Sequence, residues 1–202
     1  GSDDFTNIPL LKYYSKTKLP IIISCGMATL KEIEETLTTI GTLDGYPTAL
    51  LLTTSEYPTP PQNVNLQKLR TLSEKFPSIP LGYSDHTQGN LASSIAISFG
   101  ACIFEKHFTL DNSLPGPDHW FSSNPSNLKV WSDSIKTSYQ MMGYSEILPT
   151  ESEIKMKAIA RRSIVALDDI DIGETINENN IGLRRPGTGL PPTMFELILG
   201  KK

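Results

Sequence analysis

Ile79-Pro80-Leu81-Gly82-Tyr83-Ser84-Asp85-His86 begins apolar and ends polar, and after the turn Thr87-Gln88-Gly89-Asn90 comes Leu91-Ala92-Ser93-Ser94-Ile95-Ala96-Ile97-Ser98-Phe99. The first segment reads as a buried strand and the second as a helix. The same unit follows directly, with a strand over Ala101–Thr109 and a helix over Ser126–Met142. It also precedes, with a strand over Ala49–Thr54 and a helix over Val64–Phe76. Before that, Leu19-Pro20-Ile21-Ile22-Ile23-Ser24 is a short apolar run whose length suits a strand buried on both faces. Its helix opens at Thr29, three residues before Glu32, which is a capping-box pattern, and Ile33, Leu37 and Ile40 make its apolar stripe. Successive βα units imply a parallel sheet with right-handed crossovers. An α/β barrel needs about eight such units, so the four here amount to half of one.

The chain of 202 residues is long enough to bury a core. A formal charge of −4, with no basic run longer than two or three residues, argues against nonspecific nucleic-acid binding. An anionic substrate would have to be held by local groups. Cys25 and Cys102 both lie in apolar, strand-like runs and are read as reduced core residues of a cytoplasmic protein. Neither a signal peptide nor an apolar run of membrane-spanning length is found, so no membrane partner is expected.

Chemistry concentrates between Gly82 and Ser122. His86 and His107 each stand at the carboxyl end of an expected strand, where α/β barrels keep their active groups. Alternation places Ser84 with His86, and Glu105 with His107 and Thr109, so each imidazole belongs to a polar column. On neighbouring strands, about 4.8 Å apart, two imidazoles on one rim can share a metal ion. Lys106, offset by one from His107, should point outward or pair with a carboxylate.

Past Gly143 a polar connector leads through Ile154–Ala160 into short strands and turns rich in Gly and Pro. The expected organisation is a barrel-type domain over 1–143, a linker over 144–157 and a small β-rich domain over 158–202.

Six fragments then stand in one order: Ser24-Cys25-Gly26-Met27-Ala28-Thr29, Tyr57-Pro58-Thr59-Pro60, Gly82-Tyr83-Ser84-Asp85-His86-Thr87, Glu105-Lys106-His107-Phe108-Thr109, Gly116-Pro117-Asp118-His119 and Arg185-Pro186-Gly187. Over nearly its whole length the chain thereby resembles the sialic acid synthase family. These enzymes condense phosphoenolpyruvate with an N-acetylated hexose such as N-acetylmannosamine. The resemblance implies the second half of a (β/α)8 TIM barrel followed by a small β-rich, antifreeze-like SAF domain. It implies a nonulosonic acid synthase that releases phosphate and works as a domain-swapped homodimer. The competing expectation is a fragment without catalysis that serves only as an oligomerisation or binding module.

By the same resemblance His86 and His107 are catalytic metal ligands for Mn²⁺ or Mg²⁺. Ser2 matches a phosphate-site serine. Ser24, ahead of Gly26, either brings backbone N–H groups to a phosphate or closes an ordinary strand-end turn. Ser55 and Tyr57 stand where substrate-binding groups are expected, although Tyr57 can equally pack on Pro58. Asp118 either meets sugar hydroxyls or forms a turn. Arg185, before Pro186 and Gly187, is expected to reach the sugar site of the partner subunit. Cys25, the pair Leu52-Thr53, and Ser55 depart from the family pattern.

Overall fold

The computed structural model describes residues 1–185 and 188–202. The chain divides into two compact units, Gly1–Gly143 and Tyr144–Lys202.

In the first unit a helix α1 (Ile8–Ser15) precedes four strands, each followed by a helix. These are β1 (Ile21–Ser24), α2 (Leu30–Thr39), β2 (Thr48–Leu52), α3 (Gln67–Lys75), β3 (Leu81–Asp85), α4 (Leu91–Ser98), β4 (Ile103–Lys106) and α5 (Pro125–Met142). The strands run parallel in the order β1-β2-β3-β4, half of a (β/α)8 barrel. Local chemistry sets the helix starts. Thr29 accepts from the Glu32 N–H while the Glu32 carboxylate accepts from the Thr29 N–H, completing the expected capping box. Asn124 caps α5 in front of Pro125 by accepting from Asn127 N–H at 3.0 Å.

Alternation along the strands sorts the side chains into two populations. Ile23, Leu50, Leu52, Leu81 and Tyr83 join Ile33, Leu37, Leu69, Leu72 and Ala96 of the helices in one hydrophobic core. The other, concave face carries Ser24, Leu51, Gly82, Ser84, Ile103 and Glu105. Gly82 is required there, since a Cβ would lie 2.5 Å from the Ile103 carbonyl oxygen and inside the Leu51 side chain. Leu51 therefore lies across Gly82 and, at the next register position, faces Ile103.

The expected Ala101–Thr109 strand is shorter than read, because past Lys106 the backbone leaves β3. Thr109 N–H donates to Ser123 O at 2.9 Å and Ser123 N–H to His107 O at 2.9 Å, so the pairing passes to the chain ahead of α5. One reading needs correcting. Cys25 is buried, but Cys102 is exposed, since it lies in the short connection entering β4 rather than in a packed strand.

In the second unit, α6 (Glu151–Ala160) starts at a capping box between Thr150 and Glu153. Strands β5 (Ser163–Ala166) and β6 (Ile181–Arg184) pair antiparallel, Leu190 adds a bridge to Ile164, and a single turn α7 (Phe195–Ile198) follows. Ile164 and Ile181 are its buried apolar centre. Pro186 and Gly187 of the Arg-Pro-Gly motif lie outside the described residues.

Candidate functional site

Three successive layers of the concave face lead to the rim. The lowest holds Ser24 beside Leu51 and Gly82. Above it, Ser84 and Glu105 are register partners, and Ser84 Oγ–H donates to Glu105 Oε1 at 2.7 Å. Thr53, one residue beyond β2, donates its Oγ–H to the Ser84 carbonyl at 2.8 Å. The top layer contains the two histidines, one residue beyond β3 and one beyond β4.

His86 is buried and its ring is oriented from behind. Its Nδ1 lies 2.8 Å from the Thr54 carbonyl oxygen, which can only accept, so Nδ1 carries the proton. A neutral ring then presents Nε2 as a lone pair. The nearest polar atom recorded for Nε2 is Ser84 Oγ at 3.5 Å, whose proton is already given to Glu105. Burial lowers the basicity of His86 below the ordinary imidazole value, with the Thr54 carbonyl opposing and His107 reinforcing the shift. The site thus favours a neutral, ligating imidazole.

His107 meets His86 edge to face, with centroids 5.2 Å apart and planes at 83°. Tyr57 covers both rings, 4.3 Å from His86 and 5.4 Å from His107, and Phe121 stands 5.2 Å from His107. The Tyr57 phenol is pushed up by burial first and then by the carboxylates of Asp118 and Asp3. Asp118 Oδ2 lies 3.9 Å from His107 Nδ1, which places the Gly-Pro-Asp loop at the mouth. Among the described residues, no group of three His, Cys, Asp or Glu side chains is arranged to hold a metal ion. The donor set that fits is two imidazoles, with the remaining positions open to water and substrate.

A second cluster forms at the end of β1. Gly26 N–H donates to Ser2 Oγ at 3.0 Å, and a Cβ on Gly26 would sit 2.5 Å from both Ser2 Oγ and Ser55 Oγ. Among the described residues, Ser55 Oγ is buried without a hydrogen-bond partner. A buried, unsatisfied hydroxyl costs free energy unless something binds it. Two serine hydroxyls therefore share a small polar corner beside Gly26, suited to an anionic oxygen.

The structure brings His86, His107, Tyr57 and Asp118 together, and gathers Ser2 and Ser55 at Gly26. Ser24 lies on the same concave face. Arg185 belongs to the second unit, exposed one residue after β6. Lys106 turns to the helix side and pairs with Asp85, Nζ to Oδ2 at 3.2 Å. His119 bonds Thr109 Oγ1 at 2.8 Å and stands apart from the histidine pair. The sequence reading did not name Thr54, Phe121 or the Ser84–Glu105 bond as site features. Only the Ser84–Glu105 bond left a sequence signal, since alternation had put both residues in the polar columns.

Comparison with known proteins is consistent across the chain. Residues 1–147 match the model of the NeuB family, and residues 161–202 match the SAF domain. An N,N'-diacetyllegionaminic acid synthase of Legionella pneumophila is 40% identical over 206 residues, covering 100% of this chain and 57% of that protein. The protein of the same name from Campylobacter jejuni is 41% identical over 202 residues, covering 99% of this chain and 60% of its own length. The crystal structure of the N-acetylneuraminic acid (sialic acid) synthetase of Leptospira borgpetersenii, in complex with citrate, superposes with a TM-score of 0.69 at 33% identity. That match covers 77% of this chain and 55% of the other. The chain thus spans under two thirds of the length of these relatives.

Proposed function

The chain belongs to the NeuB family, and from that premise we propose that it carries the metal-binding rim of a nonulosonic acid synthase. The reaction joins C3 of phosphoenolpyruvate to the aldehyde carbon of an open-chain N-acetylated amino sugar. Water adds at C2 and phosphate departs with cleavage of its C–O bond. The legionaminic relatives, at 40% and 41% identity, favour a diacetylated sugar over N-acetylmannosamine itself.

In this reading His86 Nε2 and His107 hold Mn²⁺ or Mg²⁺. The ion, when bound, supplies Lewis acidity toward the sugar carbonyl oxygen. The Thr54 carbonyl keeps the His86 proton on Nδ1, so the lone pair faces the mouth. Tyr57 and Phe121 wall the histidines and limit water around the reacting carbonyl. Ser2, Ser55 and the chain at Gly26, with Ser24 below, receive phosphate oxygens. Asp118 accepts from sugar hydroxyls, and Arg185 completes the sugar site across a domain-swapped homodimer. Among the described residues no helix is long and apolar enough to cross a membrane.

One observation carries this reading: two imidazoles converge at a barrel rim, one of them held as a lone-pair donor. The test is phosphate release from phosphoenolpyruvate with a panel of N-acetylated and diacetylated hexoses and Mn²⁺, with products identified by mass spectrometry. A nonulosonic acid product supports the proposal. A sugar-independent release of phosphate, or none under any combination, overturns it.

A second reading is a non-catalytic oligomerisation or binding module. It is favoured by β1 and β4, which pair on one side only, and by Ile22, 61% exposed on the concave face. Phosphate release by the 202-residue chain only when four further βα units are supplied would select it for the isolated chain.

A further inference from the structure

Asp85 and Lys106 stand immediately before the two histidines and face the opposite way. They are the last register pair between β3 and β4. Their side chains are 0% and 4% exposed, with Nζ and Oδ2 3.2 Å apart.

The Asp85 carboxylate gathers five donors. Thr87 N–H at 2.8 Å and Thr87 Oγ–H at 2.7 Å reach Oδ1, while Ser93 Oγ–H at 2.6 Å, Trp131 Nε1–H at 3.2 Å and Lys106 reach Oδ2. Lys106 Nζ also donates to the Thr87 carbonyl at 2.6 Å. His86 is thereby bracketed, because the residue before it and the residue after it are tied to one buried carboxylate. The ammonium that completes the tie belongs to the residue before His107. One residue further on, β4 has left β3 for the chain at Ser123. The tie therefore spans the point where backbone hydrogen bonds between the two strands stop.

We propose that the Asp85–Lys106 ion pair is a positioning device that fixes, from the helix side of the sheet, the separation of the His86 and His107 imidazoles on the concave side. A buried ion pair is a poor source of net stability, since desolvation of both charges offsets their attraction. What it contributes is geometry, and the geometry it controls is one residue away from both rings. A wholly apolar pair would pack here, but would let the two strand ends separate independently.

The proposal deepens the metal-site reading, and its first readout does not depend on a metal. In the full chain, Asp85→Asn, Lys106→Met, Lys106→Arg and the core variant Leu37→Ala are compared with the parent. The nuclear Overhauser effect between the two histidine rings and the Mn²⁺ affinity by electron paramagnetic resonance are measured for each. Asp85→Asn and Lys106→Met are expected to lose the inter-ring effect and to bind Mn²⁺ about 10–100-fold more weakly, the loss typical of removing an outer support of a metal ligand. Lys106→Arg retains both signals, and so does Leu37→Ala despite its lower stability. A folded Asp85→Asn or Lys106→Met protein with the inter-ring effect and Mn²⁺ affinity of the parent overturns the proposal. So does an equal loss in Leu37→Ala. If Asp85→Asn fails to fold, Lys106→Met decides alone. If His86→Ala leaves Mn²⁺ affinity unchanged, the metal-site reading is what fails, and the inter-ring effect then decides the positioning.

Discussion

Ser84 Oγ–H donates to Glu105 Oε1 at 2.7 Å, and by doing so it leaves His86 Nε2, among the described residues, without a donor to quench its lone pair. A carboxylate on one strand thus conditions an imidazole on the next without touching it. If the proposed metal site is right, replacing His86 or His107 with Ala removes one of its two imidazole ligands. Synthase activity is expected to fall by at least about 100-fold, and Mn²⁺ affinity by a comparable factor. Steady-state kinetics and Mn²⁺ titration check this together.

Gly26→Ala places a methyl group 2.5 Å from Ser2 Oγ and Ser55 Oγ. The polar corner must open, and the hydroxyls proposed to bind phosphate shift. KM for phosphoenolpyruvate should rise by roughly tenfold to 100-fold, as small misplacements do elsewhere, with KM for the sugar little changed. Initial rates with each substrate varied in turn separate the two.

Leu37 is 0% exposed in the core between α2 and the sheet. Leu37→Ala should lower unfolding free energy by about 2–5 kcal/mol. Urea denaturation measures the loss, and no change in the histidine pair is expected.

The Cys25 thiol is pushed up to about 11, first by burial. It stays protonated in the folded chain while the unfolded thiol ionises near the ordinary thiol value of 9.0. The unfolded state then holds fewer protons, so the contribution of Cys25 to stability is complete below pH 9.0 and declines as pH rises toward about 11. At pH 8 a disulfide reagent should titrate the exposed Cys102 quickly and Cys25 only on unfolding. Counting fast-reacting thiols in native and denatured protein tests this. Two fast thiols in the native protein would contradict it.

Arg185→Ala should weaken the sugar much more than phosphoenolpyruvate, with KM for the sugar rising by about 10–100-fold on loss of a guanidinium contact to a polar ligand. Equal effects on both KM values would contradict its role.

The succession of βα units was legible because each strand is a short apolar run closed by a polar turn, and α2 carries both an apolar stripe and a capping box. The two histidines were legible for the same reason, since strand ends are marked in sequence. Alternation put Ser84 and Glu105 in polar columns, but their pairing was not legible, because it depends on the register between β3 and β4, which no local pattern fixes. Nor was the convergence of Ser2 and Ser55 on Gly26, residues brought together by the order of the strands. Cys102 misled because an apolar neighbourhood in sequence was taken for a packed one. The Thr150–Glu153 capping box lay in plain view within the span read as a connector, and the rule that found Thr29–Glu32 would have found it.

Along β3 and β4 adjacent residues hold opposite offices, a charge for the helix layer and then an imidazole for the mouth. A slip of a single residue in either strand would exchange them, turning a ring into the interior and bringing an ammonium or a carboxylate to the opening. Such a frame cannot drift by small steps, so diversification of this rim has to come through the loops that overhang it while the strands beneath stay in phase.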